Sequence, residues 1–114
     1  MYNIIHIMDS EMMNKVETKA KQILEKIENN KDTYLILGIS TCGYCKKALA
    51  YSKENNLQFK YYEMDKYYKI FIPILEKLIE LDSSLEINPE HRTFPVIFKN
   101  HKFIGGYTDL IAIK

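Results

Sequence analysis

The sequence predicts one α/β domain in which a four-stranded mixed sheet is flanked by helices. Segments with an apolar residue every three or four positions alternate with short apolar or aromatic runs. Their order is helix, strand, helix, strand, helix, strand, strand, helix stub. A strand–helix–strand unit followed by a hairpin implies a mixed sheet with helices against its faces. The run Tyr34-Leu35-Ile36-Leu37-Gly38-Ile39 is apolar without helical period, as in a strand covered on both sides, so it is placed at the centre. With 114 residues, 46% of them apolar, the chain can build one core but not two.

Met1 to Met8 reads as either an added edge strand or a loose arm, so residues 1–9 are expected to form an N-terminal extension of the single domain 1–114. Ser10 is a candidate N-cap, because its hydroxyl can accept from the free amides of the next turn. Met13, Val16, Ala20, Ile23, Leu24 and Ile27 then form an apolar stripe that ends near Asn29-Asn30, while lysines and glutamates fill much of the remainder. After the apolar strand, Lys46 to Asn55 reads as a second helix and Gln58 to Met64 as an aromatic-rich strand. Ile70 to Leu81 is a third helix. Pro73 fits only in its first turn, so the regular helix should start close to it. Asp82-Ser83-Ser84 and Asn88-Pro89 frame a loop. Val96-Ile97-Phe98 and Lys102-Phe103-Ile104 flank Lys99-Asn100-His101 as a hairpin, and Gly105-Gly106 leads into a brief terminal helix.

Charge excludes some classes. Sixteen basic against fifteen acidic residues give a formal charge of +1, with no broad electrostatic footprint for nucleic acid or an anionic membrane. The tyrosines at 61, 62, 67 and 68 therefore read as packing rather than as a base-stacking platform. No signal peptide or membrane span is legible, so a cytoplasmic setting is expected. Two cysteines three positions apart cannot staple a fold, and in a cytosolic protein such a pair points to chemistry. Zinc needs four ligands, and His6, His91 and His101 lack the spacing to complete a site with Cys42 and Cys45, so no metal is expected.

A cysteine attacks as its thiolate. Cys42 stands at a strand-to-helix junction, where unpaired amides and the positive helix end favour that form. Lys46 and Lys47 in the first turn add positive charge. Cys45, one turn on, should be more buried and more fully protonated, placed to reach back and resolve a mixed disulfide.

Thr41-Cys42-Gly43-Tyr44-Cys45-Lys46-Lys47-Ala48-Leu49 resembles the active-site segment of glutaredoxins, members of the thioredoxin-like superfamily. Thr93-Phe94-Pro95 resembles their Thr-Val-Pro element, whose proline is cis, and Gly105-Gly106-Tyr107-Thr108-Asp109-Leu110 resembles their Gly-Gly-x-[Ser/Thr/Asp]-Asp-Leu. The likeness spans about Lys15 to Ala112. It implies a thioredoxin-like fold and a glutathione-dependent thiol–disulfide oxidoreductase, with Cys42 attacking and Cys45 resolving. Read from the residues alone, Pro95 could instead simply open an edge strand. A cis Pro95 would leave the Phe94 backbone free to pair with an extended substrate. The resemblance further implies that Gly106, Thr108 and Asp109 hold the γ-glutamyl end of glutathione. Plain N-capping by Thr108 or Asp109 is compatible with that. Arg92 either contacts the substrate carboxylate or is a solubilising surface residue, and Tyr44 either borders the groove or caps the helix.

The chain departs from the family pattern at four places. Gly43 replaces a proline. Ile39 stands where many members carry a lysine for the glycyl carboxylate, so Arg92 or Lys46 would have to substitute. Asp65 to Thr93 is longer than usual, and the C-terminal helix is short, with Lys114 five residues after Asp109. The expected partners are glutathione, disulfide-bonded or glutathionylated proteins and, indirectly, NADPH with glutathione reductase, with no nucleic acid or membrane, and a monomer is expected. Glutathione acts as co-substrate with no tightly bound cofactor. In the alternative reading, the chain carries a glutathione-ligated [2Fe–2S] cluster as an iron–sulfur carrier.

Overall fold

The computed structural model describes residues 9–113. The expected N-terminal arm over residues 1–8 lies outside them. Helix α1 (Ser10–Asn29) is followed by β1 (Tyr34–Gly38), α2 (Gly43–Glu54), β2 (Phe59–Glu63), α3 (Phe71–Leu81), β3 (Val96–Lys99), β4 (Lys102–Gly105) and α4 (Tyr107–Ala112). The strands form one sheet in the order β2-β1-β3-β4. β1 runs parallel to β2, pairing Ile36 with Tyr61, and antiparallel to β3, pairing Ile36 with Ile97. β3 and β4 form the antiparallel hairpin.

Alternation along β1 explains why it is apolar throughout. Leu35 and Leu37, with Val96 and Phe98 of β3, pack on one face against Val16, Ala20, Ile23 and Ile27 of α1 and Ile74 and Leu78 of α3. Tyr34, Ile36 and Ile97 point to the other face, against Ala48 of α2 and Leu110 of α4. Each such Leu or Ile, fully buried, contributes about 1.5–3 kcal/mol of transfer free energy. Both inner strands are thereby covered on two sides, as expected of the central position.

Three local expectations need correction. The first helix is capped by Asp9 rather than Ser10, which is the first helical residue. The Asp9 Oδ1 accepts the Met12 amide at 2.7 Å. Carboxylate and hydroxyl are both good caps, and two adjacent candidates differ only in where the chain enters the helix. The second helix begins at Gly43 rather than Lys46, so the turn between the cysteines is already helical. The third helix begins at Phe71 rather than Ile70, because Asp65–Ile70 is a 3-10 turn with no apolar period of its own that delivers the chain to α3. Pro73 falls in the first turn of α3, where a missing amide is harmless.

Three of the four tyrosines pack as expected, whereas Tyr68, on the outer side of the 3-10 turn, is 61% exposed. Tyr61, Tyr62 and Tyr67 lie against the core, with Lys26 Nζ 4.5 Å from the Tyr62 ring and Lys19 Nζ 4.5 Å from that of Tyr67. At the hairpin turn, His101 lies between two carboxylates. Its Nδ1 is 2.9 Å from Glu28 Oε1 and its Nε2 2.7 Å from Asp82 Oδ2, which ties the turn to the end of α1 and to the residue after α3. Among the described residues, no helix is long and apolar enough to cross a membrane.

Candidate active site

β1 ends at Gly38, and Ile39 to Thr41 turn the chain into α2. Ser40 anchors this turn from in front: its amide and hydroxyl donate to the Asp65 carboxylate at 2.8 and 2.5 Å. The hydroxyl first, then the amide, holds the Asp65 carboxyl below its usual range. Cys42 follows as the N-cap of α2 with extended backbone (φ −96°, ψ 119°). Its Sγ accepts the Cys45 amide at 3.1 Å, so sulfur does here what a serine or aspartate oxygen does at other helix starts. The first turn holds no acidic residue, and the partial positive charge of the free amides is aimed at that sulfur. Lys46 and Lys47 are exposed. The Lys46 amide donates to the Cys42 carbonyl at 3.2 Å, and Lys47 Nζ sits 5.1 Å from the Tyr44 ring.

The two cysteines are free thiols in different surroundings. Cys42 is half-buried, whereas Cys45 is wholly enclosed. Burial above all, then the Cys42 sulfur, pushes the Cys45 thiol up to about 12, against opposing hydrogen bonds from the Ile39 backbone and the Tyr61 hydroxyl. Tyr61 is itself pushed up to about 12 by burial and then by Cys45. The expected asymmetry between an accessible and a protonated, enclosed thiol is therefore present.

A loop from the far side of the sequence closes over Cys42. The Phe94–Pro95 peptide is cis. The Phe94 carbonyl lies 3.5 Å from Cys42 Sγ, and its ring stacks on Phe71 with centroids 3.9 Å apart. Phe94 thus turns its carbonyl to the cysteine. His91 supports this loop: Nε2 is 3.2 Å from the Pro95 carbonyl, and the ring meets Phe103 edge-on at 5.1 Å.

The start of α4 packs against the same loop because Gly106 has no side chain. A Cβ there would sit 3.2 Å from His91 Cε1 and 3.6 Å from the Pro95 oxygen. Gly105 has φ +131°, and a Cβ on it would run into the Asp109 carboxylate. That carboxylate accepts the Gly106 amide at 2.9 Å, the reciprocal half of a helix cap. Tyr44 is 57% exposed and its ring lies 6.1 Å from that of Tyr107, linking the starts of α2 and α4.

The fold therefore gathers Cys42, Cys45, Phe94 and Pro95, with Gly106 and Asp109 behind the proline and Thr93 and Thr108 exposed at the rim. Arg92 is directed elsewhere: Nη2 is 3.9 Å from Glu76 Oε2 on α3. Sequence reasoning missed the anchoring Asp65, His91 beneath Pro95, and Tyr61 beside Cys45. Asp65 and Tyr61 act across a long stretch of chain that no local pattern reports, and His91, four residues from Pro95, sits in a loop with no period to read. Among the described residues, the acidic and histidine side chains that converge closely enough for a cation are Glu28, Asp82 and His101. They lie at the end of β3 remote from Pro95, where each His101 nitrogen already faces its own carboxylate.

A mixed four-stranded sheet, a dithiol at the start of the helix after its first strand, and a cis proline facing that dithiol define a thioredoxin-like thiol–disulfide protein. The glutaredoxin family model matches residues 33–104, and the chain belongs to the glutaredoxin family. A protein of Acanthamoeba polyphaga mimivirus named "Probable glutaredoxin" is 36% identical over 89 residues, covering 77% of this chain and 84% of that one. The mitochondrial glutaredoxin-2 of Bos taurus is 32% identical over 100 residues, 88% of this chain and 57% of that protein. The chain thus spans little more than half the length of that mammalian relative. Among solved structures, the dithiolic glutaredoxin of Trypanosoma brucei brucei superposes with a TM-score of 0.55 at 27% identity, covering 80% of this chain and 84% of that one. Family membership implies thiol oxidoreductase activity.

Proposed function

We propose that the chain reduces protein disulfides and protein–glutathione mixed disulfides with glutathione as reductant. The observation that carries this reading is Cys42 Sγ at the α2 N-cap, holding the Cys45 amide at 3.1 Å opposite the Phe94 carbonyl. The Cys42 thiolate attacks one sulfur of the substrate disulfide and forms a mixed disulfide. The other substrate sulfur leaves with the bonding electrons and takes up a proton. In the single-cysteine route, glutathione attacks the glutathione sulfur of that adduct, releasing glutathione disulfide and restoring Cys42. In the dithiol route, Cys45 loses its proton and attacks the Cys42 sulfur, releasing the second substrate thiol and leaving a Cys42–Cys45 disulfide that two glutathiones reduce.

Glutathione lies, in this reading, along Tyr44, Thr93, Phe94 and Pro95, with its γ-glutamyl end at Gly106, Thr108 and Asp109. One Asp109 oxygen is taken by the Gly106 amide, which leaves the other for an ammonium. Ile39 supplies no charge for the glycyl carboxylate. Arg92 serves only by leaving Glu76, a loose surface pairing at 3.9 Å. A glutathione-coupled assay on a small glutathione mixed disulfide tests the reading. Turnover that saturates with glutathione and vanishes in Cys42→Ser is expected, and a wild-type protein that is inert with glutathione but active with another dithiol reductant overturns it.

A further inference from the structure

β2 brings a polar group beneath the dithiol that the steps above leave unused. Tyr61 pairs with Ile36 in the sheet. Its hydroxyl lies over Gly38, at the C-terminal end of β1. A Cβ on Gly38 would overlap that hydroxyl, fall 2.7 Å from Tyr61 Cζ and stand 3.0 Å from Cys45 Sγ. Gly38 thus leaves open the slot in which the hydroxyl and the enclosed sulfur meet. The two groups flank that same point, and the nearby hydroxyl favours the ionised sulfur. Cys42 finds its donor in the Cys45 amide, whereas Cys45 has no helix end aimed at it and is favoured in its ionised form only by the Ile39 backbone and the Tyr61 hydroxyl. A buried thiolate with few donors is costly, so each one counts.

We propose that the Tyr61 hydroxyl is a catalytic hydrogen-bond donor to Cys45 that stabilises its developing thiolate when it attacks the mixed disulfide on Cys42. This rests on the reading of Cys45 as the resolving thiol. In that step the Cys45 sulfur forms a bond to the Cys42 sulfur and the bond from Cys42 to the substrate sulfur breaks. The substrate sulfur leaves with the electron pair, and the proton given up by Cys45 reaches it through solvent. Tyr61 keeps its own proton throughout and acts only through the hydrogen bond.

The test uses 5,5′-dithiobis(2-nitrobenzoate), which needs no glutathione. Cys42 releases a first thionitrobenzoate on forming the adduct, and Cys45 releases the second on resolving it. Tyr61→Phe, which keeps the ring packed, should slow the second release about tenfold and displace its pH profile upward, the size expected for one bond to a charged group. Incorporating 3-fluorotyrosine at position 61 gives a more acidic phenol and a stronger donor, so the second release should quicken. A second release unaltered in rate and pH profile by both replacements overturns the proposal. So does equal slowing of both releases, which marks a packing role, and so does a wild-type protein with no second release. If Tyr61→Phe does not fold, the fluorotyrosine protein decides alone. Loss of the glutathione reading shows separately, as absent turnover with a glutathione mixed disulfide while the two releases persist.

Discussion

The Cys42 Sγ and the carbonyl oxygen of Phe94, 52 positions apart in the chain, lie 3.5 Å from each other. Protonated, the thiol donates to that oxygen. Ionised, it loses this partner, faces a carbonyl lone pair and keeps only the Cys45 amide at 3.1 Å. One sulfur therefore joins the cis-proline loop to the first turn of α2.

Cys42→Ser retains both contacts in kind, since a hydroxyl can donate to Phe94 and accept from Cys45. It should fold with stability within about 0.5 kcal/mol of wild type and lose all turnover. Cys45→Ser should spare glutathione removal from a glutathionylated peptide and stop reduction of a protein disulfide. Steady-state rates on the two substrates check this, and equal loss in Cys45→Ser on both contradicts the division of labour.

Stability should fall at alkaline pH in a way traceable to Cys45. Its thiol is pushed up from about 9 to about 12 by burial. Between those values the unfolded chain releases the proton and the folded chain keeps it. The unfolded state is then favoured by up to about 1.4 kcal/mol per pH unit. Below pH 9 this contribution is constant. Urea midpoints from pH 8 to 11 should drop less steeply for Cys45→Ala than for wild type, and parallel slopes count against the assignment.

Asp109 and Gly105 form a second testable pair. Asp109→Ala leaves the Gly106 amide without its acceptor and should cost about 1 kcal/mol. Its KM for glutathione should rise, and Asp109→Asn should recover the stability more than the KM. Gly105→Ala places a side chain at φ +131° and against the Asp109 carboxylate, so a loss of about 2 kcal/mol is expected from denaturation curves. Wild-type stability in Gly105→Ala would contradict the crowding.

Asp65 should link acid pH to the cysteine loop. Its carboxyl is lowered by the Ser40 hydroxyl and amide, so the tether is complete above the ordinary aspartate value and is lost as pH falls through the depressed one. The Ser40 amide resonance should shift only in that acid range, and in Asp65→Asn it should show no such titration. Asp65→Ala should lower kcat/KM several-fold, since Ile39 to Thr41 precede the attacking sulfur.

The sheet and the reactive end were legible for physical reasons that differ from those behind the misses. Apolarity without period from Tyr34 to Ile39 marks a strand sealed on both faces, and Cys42 follows from where that run breaks. Gly43 hid the true start of α2, because a glycine carries no apolar signal even where the backbone is already helical. The Asp65–Ile70 turn has no period to read. Tyr61 looked like strand packing, which it is. Its second role depends on pairing with β1 and on the bare Gly38, a relation set by tertiary register and invisible to local pattern. Arg92 borders the right loop in sequence, and its guanidinium reaches Glu76 on α3, a pairing set by tertiary packing.

Sheet order has one more consequence. Cys42 leaves β1 and Pro95 enters β3, the two inside strands, while Gly106 and Asp109 follow β4, bonded to a neighbour on one side only. The molecule therefore holds its sulfur chemistry in the slowest-opening layer of its backbone and the Asp109 end of its groove in a faster one. Amides of Ile36 and Ile97 should outlast those of Phe103 and Leu110 in native-state hydrogen exchange. The start of α4 can thus loosen without Cys42 losing its place.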